Sequence, residues 1–256
     1  MISRPHQDLA SQPGPRPHGE PGVPALGSAP APAAPPTEPP TEPRLPLAPA
    51  VPAGSRIHRQ RRASSAPADL LDGVAHWGAM PTPFGEFRLR PVRLPRDLEL
   101  VAAWMNDPVV AAFWELAGPA RLTEQHIRAQ LDGDGRSVPC LGLLDGTPMS
   151  YWELYRADLD RLALHYPSLP HDTGVHLLLG PERFRGRGLG SRLLAAVAER
   201  ALHRRPRTRR VVAEPDVRNL PSLRAFGKAG FRFAAELELP DKRAALMIRD
   251  RPGTAG

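Results

Sequence analysis

The sequence predicts an α/β domain built on a mixed sheet and preceded by a disordered Pro-rich leader. Three observations predict it. Of the 33 prolines, 17 fall within residues 1–70, in a stretch with Ala/Pro runs and few large apolar side chains. Such a composition buries too little to offset its ordering entropy, so residues 1–75 are expected to form a disordered leader and residues 76–256 one domain. From Phe84 onward, segments alternating with period two are interleaved with segments at helical spacing. The chain then closes on two successive strand-like runs, which gives a largely alternating chain a sheet of mixed direction.

Taken in order, Phe87–Val92 alternates as a strand. Leu98, Val101, Ala102 and Met105 recur at helical spacing up to Asn106-Asp107-Pro108, which reads as a stop. A second helix fits Glu124–Leu131, with Thr123 as its N-cap. Pro139–Leu144 and Met149–Tyr155 are apolar strands joined through Asp145-Gly146-Thr147-Pro148, a hairpin turn. His176–Leu179 is a further strand, followed by a Gly-rich turn and an Ala/Leu helix from Leu189 to His203. Arg210–Ala213 reads as a strand, Pro221–Ala229 as a helix, and Arg232–Leu239 with Ala244–Arg249 as the closing pair.

Composition excludes several functions. No run approaches the ~18 apolar residues of a membrane span, and the N-terminus lacks a secretory signal, so a cytoplasmic protein is expected. Cys140 is the only cysteine, which rules out an intramolecular disulfide or a cysteine-built metal site; lying in an apolar strand, it reads as core filler. His165 and His171 lack metal-ligand spacing, and no metal is expected. The net charge of +7 comes almost wholly from arginine, 32 of the 34 basic residues. Residues 81–256 carry 27 basic and 21 acidic side chains, interspersed, which suits an anionic small molecule and calls for neither nucleic acid nor membrane. The patch Arg56, Arg59, Arg61 and Arg62 reads as solvated linker, with contact to a partner enzyme as the functional alternative.

The most informative stretch is Arg185-Gly186-Arg187-Gly188-Leu189-Gly190, between a strand and a helix. Glycines let several amides approach a bound anion, the helix N-terminus adds partial positive charge, and Arg185 and Arg187 offer direct cationic contacts. It is neither a Walker A loop nor a convincing dinucleotide fingerprint. Its Arg-x-x-Gly-x-Gly form resembles the pyrophosphate loop of GNAT-family acyltransferases. The resemblance continues through Val211-Val212-Ala213, Asn219 and Lys228-Ala229-Gly230-Phe231, in the family's order. It implies a GNAT fold with two splayed central parallel strands holding an acyl-CoA cosubstrate, with Asn219 among the CoA-binding residues.

A narrower resemblance covers most of residues 83–248. Trp104-Met-Asn-Asp-Pro-Val109, Ala112-Phe-Trp114, Tyr151-Trp-Glu-Leu-Tyr155, Asp172-x-Gly-x-His176 and Glu214-Pro-Asp216-Val-Arg-Asn219 are similar to the siderophore-biosynthesis acyltransferases. Those enzymes acylate the side-chain amine or N-hydroxyamine of lysine, ornithine or cadaverine. The resemblance implies that His176 is the catalytic base, an imidazole able to take a proton near neutral pH. It implies that Asp216 orients His176 or binds the acceptor amine, and that a backbone N–H near Leu177 or Leu178 meets the oxyanion. Many GNAT enzymes place a Tyr where this chain has Phe226, so no dedicated acid for the CoA thiolate is expected. Trp104, Trp114 and Trp152 are candidates for the acceptor cleft, though core packing explains each equally well. His126 reads as a helix-surface residue.

Two other functions compete. Aminoglycoside N-acetyltransferases share the fold and the Asn-to-Gly-Phe ending, but a polycation calls for a strongly acidic pocket, and the acids of Glu153–Asp160 stand among basic neighbours. A non-catalytic acyl-CoA-binding module is the other; the pairing of His176 with Asp216 argues against it.

Overall fold

The computed structural model of the chain describes residues 71–253. Residues 1–70 of the expected leader, with its arginine patch, lie outside the described residues. Packing is present ahead of residue 76: Leu71–His76 forms a 3-10 turn, and Leu71 and Val74, each 1% exposed, join Trp77 in the main core.

Among the described residues, eight strands form one mixed sheet in the order β1-β2-β3-β4-β5-β6-β8-β7. They are β1 (Met80–Thr82), β2 (Gly85–Pro91), β3 (Ser137–Leu144), β4 (Thr147–Arg156), β5 (Thr173–Leu179), β6 (Arg210–Ala213), β7 (Arg232–Glu238) and β8 (Arg243–Asp250). The helices are α1 (Leu98–Met105), α2 (Pro108–Trp114), α3 (Ala120–Leu131), α4 (Leu189–Arg204) and α5 (Leu220–Lys228). The β3–β4 hairpin turns on Asp145 and Gly146, both at positive φ (47° and 79°), the backbone form that matches the twist of the flanking strands.

Strand alternation divides the sheet into two faces. On one, Trp152, Leu154 and Val175 pack with Leu193, Leu194, Val197 and Ala198 of α4 in the largest apolar cluster. On the other, Leu141, Tyr151 and Leu178 meet Val101, Trp104 and Met105 of α1, Val110 of α2 and Ile127 of α3.

One sequence expectation holds and gains a second role here, and another changes. Asn106-Asp107-Pro108 is a junction between helices: Asn106 ends α1, while the Asp107 carboxylate accepts the Val109 N–H and caps α2, with Pro108 in its first turn. A capping Asp followed by Pro is as much a start signal as a stop. Thr123 is not an N-cap, because α3 begins at Ala120 and Thr123 is buried within its first turn.

The feature that positions the site lies between β5 and β6. They pair in parallel at Thr173↔Val211 and Gly174↔Val212. Beyond that point β5 continues to Leu179 while β6 ends at Ala213, so the strands part and leave main-chain groups of β5 facing a cleft. No helix among the described residues is long and apolar enough to cross a membrane.

Candidate active site

His176 stands on β5 just past the divergence, paired in register with Glu153 on β4. Directly opposed residues of antiparallel strands share a face, and His176 Nδ1 lies 3.0 Å from Glu153 Oε2. The other ring nitrogen, Nε2, lies 2.5 Å from Oε1 of Glu214, the residue that follows β6. Each carboxylate is itself held. Tyr151 Oη (2.9 Å) and Gln130 Nε2 (2.6 Å) donate to Glu153 Oε1, which also lies 2.5 Å from His126 Nε2. Tyr155 Oη donates to Glu214 Oε2 at 2.6 Å, and Lys242 Nζ is 3.9 Å from Oε1. Gly174 makes this possible, since a Cβ there would fall inside the Tyr155 ring.

This arrangement sets the charges. Burial alone would lower the His176 pKa, but Glu214 and Glu153 outweigh it and push the pKa up to about 10. Burial would raise Glu153 and Glu214; contacts with His126 and His176 hold the first well below the ordinary carboxylate range, and His176 and Lys242 lower the second. The two carboxylates therefore favour the protonated form of His176, and both of its ring nitrogens face a carboxylate oxygen.

Asp216 lines the cleft with His176, but the orienting contacts expected of it are made by Glu153 and Glu214. The Asp216 carboxylate accepts the Arg218 backbone N–H (2.7 Å) and its Nε and Nη2 (3.0 and 2.6 Å). A Pro-Asp-x-Arg turn closes this local fork before the carboxylate can extend toward β5.

Two lobes of the cleft meet at His126, Glu153 and His176. An inner lobe of about 270 Å³ occupies the splay, lined by Val175, Leu177, Ala213, the α5 cap Asn219 and the α5 residues Ser222 and Phe226. An outer lobe of about 500 Å³ runs between α3 and β4 toward Arg136, Asp134 and Asp160. His126 is thus part of the site and not a bystander on the helix surface. Phe226 offers the inner lobe no hydroxyl and packs edge-on against Phe231.

The three tryptophans separate. Trp114 borders the inner lobe, with its ring 6.1 Å from His176 and 5.5 Å from Tyr151, edge-on to both. Trp152 is fully buried on the α4 face, one residue out of phase with Glu153, and donates its indole N–H to Ser150. Trp104 packs in the α1–α3 cluster over Gly180, where a Cβ would meet its ring. Neither of these two lines either lobe.

In the Gly-rich turn, Gly186 and Gly188 have φ of +73° and +76°, and a Cβ at either would meet nothing within 4 Å. Gly188 caps α4 without a side-chain acceptor, so no cap side chain takes up the first-turn amides beside Leu189 and Gly190. Arg187 is exposed at the same place. Arg185 serves otherwise: its guanidinium binds Asp107 through two 3.0 Å contacts and the Leu179 and Gly180 carbonyls, tying the end of β5 to α2. Asn219 accepts the Ser222 N–H and caps α5, so its carboxamide oxygen is already used.

Sequence reasoning missed Glu153 and Glu214 as partners of His176. The signal was present: an acid inside the apolar strand Met149–Tyr155, and another immediately before Pro215 at a strand end. Only strand register brings the two onto His176.

A family model described as Acetyltransferase (GNAT) domain matches residues 93–239. The lysine N-acyltransferase MbtK of Mycolicibacterium paratuberculosis is 37% identical over 188 residues, 73% of this chain and 84% of that protein. The N(6)-hydroxylysine O-acetyltransferase of Escherichia coli is 36% identical over 155 residues, 60% of this chain and 49% of that one. Among solved structures, AAC(6′)-Ib in complex with paromomycin and acetyl-CoA has a TM-score of 0.58 at 26% identity, covering 64% of this chain and 93% of that one. Since the matched stretch contains the splayed strands, the Gly-rich turn and both sides of the cleft, the chain belongs to the GNAT acetyltransferase family.

Proposed function

We propose that the protein is an acyl-CoA-dependent N-acyltransferase that acylates the side-chain amine or N-hydroxyamine of a lysine-, ornithine- or cadaverine-type acceptor. In this reading it works in the cytoplasm, in the assembly of hydroxamate siderophores. The observation that carries it is His176 held between Glu153 and Glu214 at the point where β5 and β6 part. Three coupled ionisable groups at the mouth of a cleft mark a site built to move protons, because a structural role is met at lower desolvation cost by apolar side chains.

The Gly-rich turn at the head of α4 suits the pyrophosphate of the acyl-CoA, and the inner lobe suits its thioester end. The acceptor nitrogen attacks the thioester carbonyl; the C–N bond forms, the C–S bond breaks, and one proton must pass from nitrogen to sulfur. A protonated His176 cannot take that proton alone. The base is the Glu214–His176 couple, with the carboxylate of Glu214 as the accepting group. Once attack has begun, the nitrogen becomes acidic enough for a carboxylate to deprotonate it, and the couple can return the proton to the departing thiolate. That thiolate, with a pKa near ~8.5, leaves without help from Phe226. The β5 amides that do not face β4 alternate along the strand, and that of Leu177 offers the oxyanion a donor. Trp114 shapes the wall beside His176, and Asp216, paired with Arg218, lines the same lobe.

The lysine-type acceptor is favoured over an aminoglycoside by the relatives at 36–37% identity, which are named for lysine and N(6)-hydroxylysine. The test is to offer acetyl-, succinyl- and longer acyl-CoAs with N6-hydroxylysine, N-hydroxycadaverine, lysine and kanamycin, and to identify products by mass. Acylation of kanamycin alone would overturn the reading.

A further inference from the structure

The outer lobe has no part in the acyl-transfer step described above, yet it opens from the same residues that hold the reacting centre. Its far end carries paired charges of both signs. Arg136 binds Asp134 through Nε (2.8 Å) and Nη2 (2.6 Å), and donates from Nη1 to the Leu159 carbonyl at 2.8 Å. A guanidinium has five N–H donors, so two of Arg136 remain. Asp134 likewise keeps acceptor capacity, and both side chains are about half exposed, at 58% and 50%.

Strand geometry gives the reach. The Arg136 carbonyl accepts the Arg156 N–H, which places Arg136 across from the end of β4, three residues beyond Glu153. At ~3.4 Å per residue that is about 10 Å of strand, and Tyr155 and Ser137 line the intervening ~7 Å. An extended lysine side chain spans about 6 Å from Nζ to Cα, and the carboxylate lies a bond further. An acceptor with its nitrogen at His176 and its chain in this lobe delivers its head group to Asp134 and Arg136.

We propose that the outer lobe seats the α-ammonium and α-carboxylate of a free amino-acid acceptor, Asp134 taking the ammonium and Arg136 the carboxylate. The enzyme then selects an amino acid over the corresponding decarboxylated diamine, which can still place its second ammonium on Asp134 but has no carboxylate for Arg136. This rests on the acyl-transfer reading above.

The test measures acceptor KM for the wild type and Arg136→Gln with lysine, lysine amide and cadaverine, and with N6-hydroxylysine and N-hydroxycadaverine. Wild type should show a KM about 10-fold lower for the amino acids than for the amide or the diamines, the size of one charge-assisted pair. Arg136→Gln should remove that advantage and leave the diamine KM unchanged. Asp134→Asn should raise the amino-acid KM with Arg136 intact, and lysine amide in the wild type reads the carboxylate contact without any substitution. Equal wild-type KM for lysine and cadaverine, or a rise in both with Arg136→Gln, overturns the head-group seat while leaving acyl transfer standing. Failure of every acceptor to be acylated overturns the acyl-transfer reading, and the head-group seat with it.

Discussion

His176 Nε2 lies 2.5 Å from Glu214 Oε1, across the gap where two parallel strands stop pairing. Glu214 follows the short strand β6 and His176 lies within the long strand β5, so the contact exists only because β6 ends where it does. Opposite it, Glu153 binds the other ring nitrogen from β4. The imidazole is thereby fixed in orientation and charge by both neighbouring strands, and its proton is shared with a carboxylate at the cleft.

Stability should depend on pH in a way traceable to this cluster. The His176 pKa is raised from 6.5 to about 10, so its contribution is complete below 6.5 and is lost as pH rises through 10. The Glu153 and Glu214 pKa values are lowered from 4.5, so theirs is present above 4.5 and lost as pH falls. The unfolding temperature should therefore be highest between 4.5 and 6.5 and fall toward pH 10. His176→Gln should flatten the alkaline fall. Parallel alkaline slopes in the two proteins, measured by scanning fluorimetry, would show that His176 is not the titrating group.

The tryptophans should divide by function. Trp152→Ala empties a fully buried site and should cost about 3–5 kcal/mol of stability. Trp114→Ala should leave the unfolding temperature nearly unchanged and raise the acceptor KM, because its ring borders the inner lobe beside His176. The opposite division, in melting curves and steady-state kinetics, would place the acceptor elsewhere.

Gly188→Val should weaken acyl-CoA binding by an order of magnitude or more, since the new side chain projects into the open space before the α4 amides. Its left-handed backbone adds a stability cost of about 1–2 kcal/mol. Arg185→Ala should act chiefly on stability through the lost Asp107 contact. Titration calorimetry with CoA checks both: unchanged affinity in folded Gly188→Val would remove the turn from the anion site.

Much of the fold was legible because each signal was local. The Ala/Leu periodicity of α4, the apolar runs of β3 and β4, and the Asp145-Gly146 turn each declare an element within a few residues. The Gly-rich turn was legible from its glycines at a strand-to-helix junction, and His176 only through the resemblance to the siderophore-biosynthesis acyltransferases. The partners of His176 were not, because Glu153 and Glu214 reach it only through strand register and the end of β6, neither of which is written locally. Asp216 and Arg185 drew attention as members of the Glu214-Pro-Asp216 and Arg-x-x-Gly-x-Gly motifs. Their neighbours Arg218 and Asp107 claim them in short-range pairs that a family pattern does not reveal.

The N-terminal boundary yields a separate prediction. A chain beginning at residue 71 should unfold cooperatively and bind acyl-CoA. One beginning at residue 78 loses Leu71, Val74 and Trp77 from the main core and should be markedly destabilised. Equal unfolding temperatures for the two would show that the 71–77 segment contributes nothing to the core.

The most direct measurement is single-turnover acyl transfer from acetyl-CoA, or from whichever acyl-CoA is accepted, to N6-hydroxylysine, followed by mass spectrometry. It is run on the wild type, Glu214→Gln and His176→Gln. Wild type should yield a product acylated on the side-chain nitrogen. Each variant should bind acyl-CoA normally and turn over about 10²–10⁴-fold more slowly, with the double variant little worse than either single one, as for two residues acting as one base. Near-normal turnover in Glu214→Gln, or losses that multiply in the double variant, would contradict a shared Glu214–His176 base.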